Sequence, residues 1–425
     1  MTETAIAQVR GRRVWDSRGR PTVEAEVRLA GGAAGRAMAP AGASRGRGEA
    51  VDLRDGGDRL GGFDVRTALA HVNGEIAAAL SGADAAGQEA VDRLLVDLDG
   101  TPDKGRLGGN ALIAVSMAVA HAAAAAAGEP LWRHLGGEKP GRMPVPQVQI
   151  FGGGAHAGRR VDIQDFMVVA LAADSFGQAL EWTADVYRAA GRLMEQAGTL
   201  HGVADEGGYW PVFATNEEAL ETLVRAIEDA GFVPGDEIAV CLDVAASQLG
   251  GGGRYRLGLE GRELDSDGLA EMLAGWIGRY PIVSIEDPLA EDDEEGFRRF
   301  TRAVGGKVQI VGDDFLVTDA GRVRRAAKAG ACNAVLVKPN QAGTLSEARA
   351  ALEAARAAGW GTIVSARSGE TEDVTIVHLA VGWDAGQIKV GAFARSERMA
   401  KWNEGLRIEE SLGPAARFAG REPFP

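Results

Sequence analysis

Apolar and polar positions along the chain fall into two regimes. Residues 5–55 read as β-rich, with AQVRGRRVWD (7–16) and PTVEAEVRLA (21–30) as strand candidates separated by the turn-type break SRGR. A Gly/Ala/Arg-rich stretch over 31–48 follows and predicts a long mobile loop. Loops of that length in a compact domain are often functional lids. Residues 66–136 are Ala-rich and helical in pattern, which completes a β-then-α unit. GEKPGRMPVP (137–146) is rich in Gly and Pro and reads as a linker. From residue 145 onward, strand-like and helical segments alternate. VDIQDFMVVA, DEIAVCLDVA, PIVSIEDP, VQIVGDD, AVLVKPN, GTIVSAR and QIKVGA are the strand ends, with helical stretches such as SEARAALEAARAAGW between them. This is the rhythm of a (β/α) barrel. The expected fold is α/β: an N-terminal α+β capping domain over 1–136, then a barrel over 137–425.

The strand ends carry the chemistry. Asp243 closes IAVCLD, Glu286 lies in IVSIED and Asp313 in QIVGDD; Lys338 closes NAVLVK and Lys389 closes GQIK. At the C-terminal mouth of a parallel barrel, three converging carboxylates make an oxygen-rich site suited to Mg2+. Each acid alone could simply cap the following helix, but three on consecutive strands would repel one another without a cation. Asp287 and Asp314 are second-choice ligands. A lysine at the end of a buried strand is rare unless paired or functional. Beside a divalent cation and a second ammonium, a depressed pKa is expected, which makes it a usable base. HGVADEGGY sets Glu206 on a Gly-flanked loop, and AHAGRRVDIQDF supplies His156, Gln164 and Asp165. Carboxylates across the substrate from the lysines could protonate a leaving hydroxide. In SARSGETED, Arg367 and Ser368 could hold a phosphate at a strand end.

Composition narrows the partners. At 45% apolar and 25% charged, the 425 residues have the make-up of an ordinary soluble globular protein. A net charge of −14 argues against a general binder of nucleic acid or of membrane surfaces, both anionic. A small anionic substrate would then depend on local metal, Arg and Lys charge. Cys241 and Cys332, the two cysteines, lie in apolar strand-like segments and read as buried free thiols. The stretch 112–128 is apolar, but it is mostly Ala and carries Ser116 and His121, which predicts a buried helix rather than a membrane span. MTETAIAQVR has no apolar run of the secretory kind, so the expected location is the cytoplasm.

The segments WDSRGRPTVEAEV, GASRG, LGGNALIAVSMAVA, GGGAHAG, DEGG, LDVAAS, SIEDPLAEDD, VGDDFLVT, KPNQAGTLSEA, SGETEDVTI and GAFARSERMAKWNEGLRIEE together resemble the enolase (phosphopyruvate hydratase) family across nearly the whole chain. The resemblance implies an enolase-type (β/α)8 barrel with one antiparallel irregularity near its start, a homodimer or a multiple of it, and two Mg2+ ions per site. It implies that Asp243, Glu286 and Asp313 bind the first Mg2+ and that Ser44, in the predicted lid, binds the second. It casts Lys338 as the base at C2, Lys389 as the partner of the substrate carboxylate, and Glu206, paired with Asp165, as the acid at the C3 hydroxyl. Gln164 would support the site, and His156, Arg367 and Ser368 would be phosphate-side contacts.

Departures from the family pattern cluster where substrate would sit. Ala366 stands where the family carries the His of SHRSG, and Asp165 where it carries the Glu of QEF. The lid reads GASRGRGEA rather than GASTGIYEA, and KPNQAGT replaces KVNQIGT. Added lid charge at Arg45 and Arg47 could meet a larger or more anionic ligand. Three readings result: a hydro-lyase interconverting 2-phosphoglycerate and phosphoenolpyruvate; a paralogue acting on a phosphonate or larger phosphoryl analogue, as in carboxyphosphonoenolpyruvate formation; and a non-catalytic protein on the same fold. Retention of both lysines and all three acids speaks against the third.

Overall fold

A computed structural model describes residues 2–137 and 142–425. Residues 138–141, within the expected linker, lie outside the described residues. The N-terminal strands form where the sequence predicts them: β1 (Ile6–Trp15) and β2 (Pro21–Leu29) pair antiparallel with Trp15 opposite Pro21. A third strand, β3 (Ala34–Met38), pairs with β2 and occupies part of the stretch expected to be loop. Its AGRAM sequence lacks the bulky apolar residues that mark a strand, because small residues are what the packing demands there. Helix α1 (Gly109–Ala127) lies against β2 and β3 so closely that a Cβ on Gly35 would sit 2.2 Å from the Ala122 amide nitrogen. The α1 helix is long and apolar enough to cross a membrane, yet every residue from Gly109 to Ala120 is buried inside the protein. It is a core helix, as its Ala-rich sequence predicts.

Eight strands close the barrel: β4 (Val145–Gly152), β5 (Asp165–Ala170), β6 (Ile238–Asp243), β7 (Ile282–Glu286), β8 (Gln309–Gly312), β9 (Ala334–Val337), β10 (Gly361–Ser365) and β11 (Gly386–Gly391). All neighbours are parallel except β5, which runs antiparallel to both β4 and β6. Most of these strands are apolar and buried at every position, as strands covered on both faces must be. The reversal of β5 has a functional consequence. Its first residue, Asp165, pairs in register with the last residue of β6, Asp243, and Asp243 pairs with Glu286 at the end of β7. One rim therefore collects all three carboxylates. Helices enclose the barrel, and several start on a side-chain cap. Ser175 accepts the Gln178 amide at the start of α2 (Phe176–Gln196), and Thr344 accepts the Glu347 amide at the start of α3 (Leu345–Ala357). Cys241 and Cys332 are free and buried, and burial pushes both thiols well up.

Gly35→Ala is expected to cost about 3 kcal/mol, because backbone on both sides of the contact must move apart. Chemical denaturation checks it, and an unchanged midpoint would contradict the close packing of β3 on α1.

Candidate active site

Strand termini place the charged groups as the strand-end pattern predicts. Asp243 and Glu286 are the last residues of β6 and β7, Asp313 directly follows β8, and Lys338 directly follows β9. Lys389 sits within β11, two residues before its end. The Lys389 ammonium lies 2.8 Å from Asp243, 2.9 Å from Glu286 and 3.0 Å from Asp165. Lys338 bonds directly to Asp313. Gln164 donates to Asp243 at 2.8 Å, and Gln341 donates to Asp313 at 2.9 Å.

Burial and like charge set the protonation. Burial, reinforced by Asp243, pushes the Glu286 carboxyl well above the carboxylate range. Burial is the largest influence on Asp313 and raises it, but Lys338, Arg367 and Lys389 together outweigh burial and hold the carboxyl low. For Lys338, burial is the largest influence and lowers the pKa, but Asp313 and Glu286 together outweigh it and leave the ammonium above its ordinary value. Asp287 is in left-handed backbone, with φ 40°, and its two oxygens accept the amides of Asp313 at 2.9 Å and Asp314 at 2.8 Å. It therefore acts as a brace that sets the Asp313 carboxylate. Burial and Asp313 raise Asp314 to about 8.

Could these residues hold a hard cation? Glu286 Oε1 is buried with no hydrogen-bond partner, and an unpartnered carboxylate oxygen amid acids needs a cation or a proton. Among the described residues, Asp287, Asp313 and Asp314 bring ligand atoms within 4.8 Å of one another, as do His156, Asp165 and Glu206. Asp243 and Glu286 do not join Asp313 in such a group: Lys389 draws the first two together, and Lys338 holds the third. The donor set fits Mg2+ in chemistry.

Across the rim lies the acid side. His156, on a short turn over Gly154–Ala157, approaches Asp165 through Nδ1 at 3.3 Å and Glu206 through Nε2 at 3.7 Å. Burial lowers the imidazole pKa, but Glu206 and Asp165 outweigh burial and raise it. Asp165 is raised by burial and lowered more strongly by Lys389 and His156, so it stays ionised. The Glu206 loop needs glycine beside it: Gly207 has φ +90°, and a Cβ there would meet the Ala394 carbonyl at 2.4 Å.

The phosphate-side pair is held by its backbone. Arg398, on α4 (Ser396–Leu412) and fully buried, donates to the carbonyls of Arg367 at 2.7 Å and Ser368 at 2.6 Å. Lys401, one turn on, pairs with Glu370 at 3.0 Å, and Glu370 accepts the Arg367 amide at 2.9 Å. Arg18 reaches Ser368 Oγ from the N-terminal unit at 3.3 Å.

One pocket gathers these groups. Lys338, Lys389, Glu206, Asp165, His156 and Gln164 line it, with Ser44, Arg367 and Ser368 on the lid side. Asp243, Glu286 and Asp313 lie outside the lining, tied to the lysines and glutamines above. Ala366 forms part of the wall. Arg45 and Arg47 do not: both are exposed, and Arg47 pairs with Glu291 at 3.3 Å on the outside of the lid. The expectation that lid charge faces the ligand is therefore corrected. The lid backbone turns these side chains outward while Ser44 lies over the cavity.

Residues 6–135 match the family model described as Enolase, N-terminal domain, and residues 141–424 match Enolase, C-terminal TIM barrel domain. The chain belongs to the enolase family. It is thus an enzyme of the enolase superfamily, and the reversed β5 is the antiparallel irregularity that the resemblance implies. Within this enolase fold, four supporting residues take roles that the sequence reading did not give them. Gln149 donates to Asp165 and accepts the Gly208 amide at 2.9 Å, so it joins β5 to the Glu206 loop. Gln341 and Asp287 orient Asp313. Glu49 grips Arg367 at 3.0 Å from inside the lid. Gln341, Asp287 and Glu49 stood in the quoted segments KPNQAGT, SIEDPLAEDD and GASRGRGEA, whereas Gln149 stood in none.

The raised His156 pKa has a definite sign for stability. The folded state binds the imidazole proton more tightly than the unfolded chain does. That contribution is complete below the ordinary value of 6.5 and is lost as pH rises through the folded value. With chelator present, the destabilisation caused by His156→Gln is expected to be largest in acid and to shrink as pH rises. Denaturant titrations across pH check this, and a difference that grows with pH would contradict the ion-paired geometry.

Proposed function

We propose that the protein is a Mg2+-dependent hydro-lyase that interconverts 2-phosphoglycerate and phosphoenolpyruvate. What supports the reading is one arrangement. Lys338 follows β9, and Asp165, which groups with His156 and Glu206, begins β5, four places away in the closed ring of eight strands, yet Lys338 and Glu206 line the same cavity. A base and an acid then face a substrate from opposite sides of the barrel mouth. Elimination needs this, since one group takes the C2 proton while the other gives a proton to the departing C3 hydroxyl.

In this reading Lys338 Nζ receives the proton from C2, and Glu206, with His156 and Asp165 behind it, protonates the leaving hydroxide, so that water departs. Lys389 holds the substrate carboxylate, and Arg367 and Ser368 hold the phosphoryl group. Asp243, Glu286 and Asp313 would hold Mg2+, with Ser44 as a ligand from the lid. Bound there, Mg2+ supplies positive charge to a carboxylate that becomes more electron-rich as the C2 proton leaves. Lys338 must be neutral to act, and its bond to Asp313 is what has to be given up. A homodimer or a higher multiple is the assembly we infer from family membership.

Ala366 favours a second reading. A small side chain in the cavity wall beside Arg367 leaves room for a bulkier phosphoryl or phosphonate substituent, as in carboxyphosphonoenolpyruvate formation.

Phosphoenolpyruvate formation from 2-phosphoglycerate, followed by ultraviolet absorbance, is expected to proceed with Mg2+ and stop on chelation. Lys338→Ala is expected to cost roughly 10²–10⁴-fold in kcat. Mg2+ binding without turnover would transfer the assignment to the second reading. Ala366→His with Asp165→Glu is expected to raise turnover of 2-phosphoglycerate, and no gain would sink the view of the pocket as a drifted hydratase.

A further inference from the structure

Lys338 and Asp313 are joined twice. The Lys338 ammonium bonds directly to Asp313 Oδ2. Its backbone reaches the same carboxylate by a longer route. The Lys338 amide donates to Thr318 Oγ1 at 3.0 Å, and the Thr318 hydroxyl donates to Gln341 Oε1 at 2.6 Å. Gln341 Nε2 then donates to Asp313 Oδ1 at 2.9 Å. All four residues are buried. The direction of this chain is fixed. A hydroxyl has one proton to give, and the Leu336 carbonyl, the other acceptor within reach, is 3.5 Å away. The proton therefore goes to Gln341. Nor can the Gln341 carboxamide turn over without cost. Nε2 also donates to Glu49 at 3.3 Å, so a reversed amide would set Oε1 against two carboxylates.

The backbone is bent to make this contact. Thr318 lies in the turn after β8, which hangs on the carbonyl of Asp313 itself through the amides of Leu316 at 3.0 Å and Val317 at 2.7 Å. Val317 and Thr318 have φ of 44° and 54°, left-handed backbone that β-branched residues enter only under strain. Capping of the helix over Ala320–Ala329 does not explain Thr318, because Asp319 supplies that cap.

We propose that Thr318 is a positioning residue for the metal site: acting through Gln341, its hydroxyl holds the Asp313 carboxylate in place when Lys338 lets go of it. The inference rests on the reading of Lys338 as the base and Asp313 as a Mg2+ ligand. While the ammonium bonds to Oδ2, the carboxylate is fixed from both sides. When Lys338 turns to a substrate proton, Gln341 is the side chain among the described residues that still donates to Asp313. The orientation of that carboxamide depends on Thr318. A carboxylate pinned through one oxygen offers the other to a cation with less left to order.

Mg2+ affinity of the full chain, read by isothermal titration, tests this without recourse to turnover. Thr318→Val keeps the shape and removes the hydroxyl, and Mg2+ is expected to bind on the order of 10–100-fold more weakly. Thr318→Gly removes the hydroxyl too and suits left-handed backbone, so the same loss is expected in a turn without strain. Thr318→Ser keeps the hydroxyl and is expected to bind Mg2+ as the wild type does. Gln341→Ala is expected to weaken binding by a similar factor. Adding Thr318→Val to Gln341→Ala should weaken it no further, because the two side chains act as one unit. A merely structural role would lower the denaturation midpoint of Thr318→Val and Thr318→Gly while leaving Mg2+ affinity unchanged, or would add its loss in full to that of Gln341→Ala. Either result would overturn the proposal. Affinities in the expected order without turnover of 2-phosphoglycerate would support the role of Thr318 and overturn the hydratase reading alone. Absence of Mg2+ binding by the wild-type chain would overturn both.

Discussion

Buried like charge is the constraint on which the site depends. Asp165, Asp243, Glu286, Asp287, Asp313 and Asp314 meet at one end of the barrel, and each is buried. Carboxylates packed at this density cannot all ionise in a poorly screened interior. Two buried lysines and a buried arginine divide them into two classes. Asp165 and Asp313, in contact with Lys389 and Lys338, are held in the ionised form. Glu286, Asp287 and Asp314 are driven upward by burial and by their neighbours. Such an arrangement is poor value as stability, since desolvating the charges costs about as much as pairing them returns. Its worth lies in chemistry: every group at the rim is a proton or metal acceptor whose state depends on its neighbour.

Topology makes this crowding possible. In an all-parallel barrel the residue before a strand would lie at the far end. Because β5 runs backwards, its first residue arrives at the same rim as the last residues of β6 and β7, and Asp165 completes the triangle of carboxylates around Lys389. The left-handed backbone at Asp287 does similar work at short range. A residue with φ near 40° is strained unless glycine, and the two amides that Asp287 captures hold it there. On the far side, α4 drives Arg398 and Lys401 into the core to hold the carbonyls of Arg367, Ser368 and Thr371. The loop after β10 is thereby fixed from beneath, while its side chains face the cavity.

How much of this the sequence disclosed follows from the range of each interaction. An acid that ends a β-branched run is a local pattern, so Asp243, Glu286, Asp313 and Lys338 were legible one strand at a time. The barrel itself was legible from alternation. β3 was not, because contact with α1 demands small residues and erases the apolar signal that marks a strand. Glu49 and Arg367 are 318 residues apart, and nothing in either neighbourhood announces the other. Gln149 reads as one polar residue in a buried strand until the Glu206 loop folds over it. The contact of Lys338 with Asp313 was hidden for a related reason: the sequence shows that a lysine and several acids share a rim, but not which acid touches the ammonium.

The two departures from the family pattern are therefore unequal. Shortening Glu to Asp at position 165 leaves a carboxylate that still reaches Lys389 at 3.0 Å and His156 at 3.3 Å, with Gln149 donating as well. Partners from three elements converge on it, so the missing methylene is absorbed by its surroundings and its charge remains where the rim needs it. No such compensation surrounds Ala366. A methyl group can neither donate nor carry charge, and the guanidinium of the next residue, Arg367, is committed to Glu49. On this side of the cavity the wall therefore combines a small apolar side chain at Ala366 with a guanidinium whose charge a lid carboxylate already neutralises.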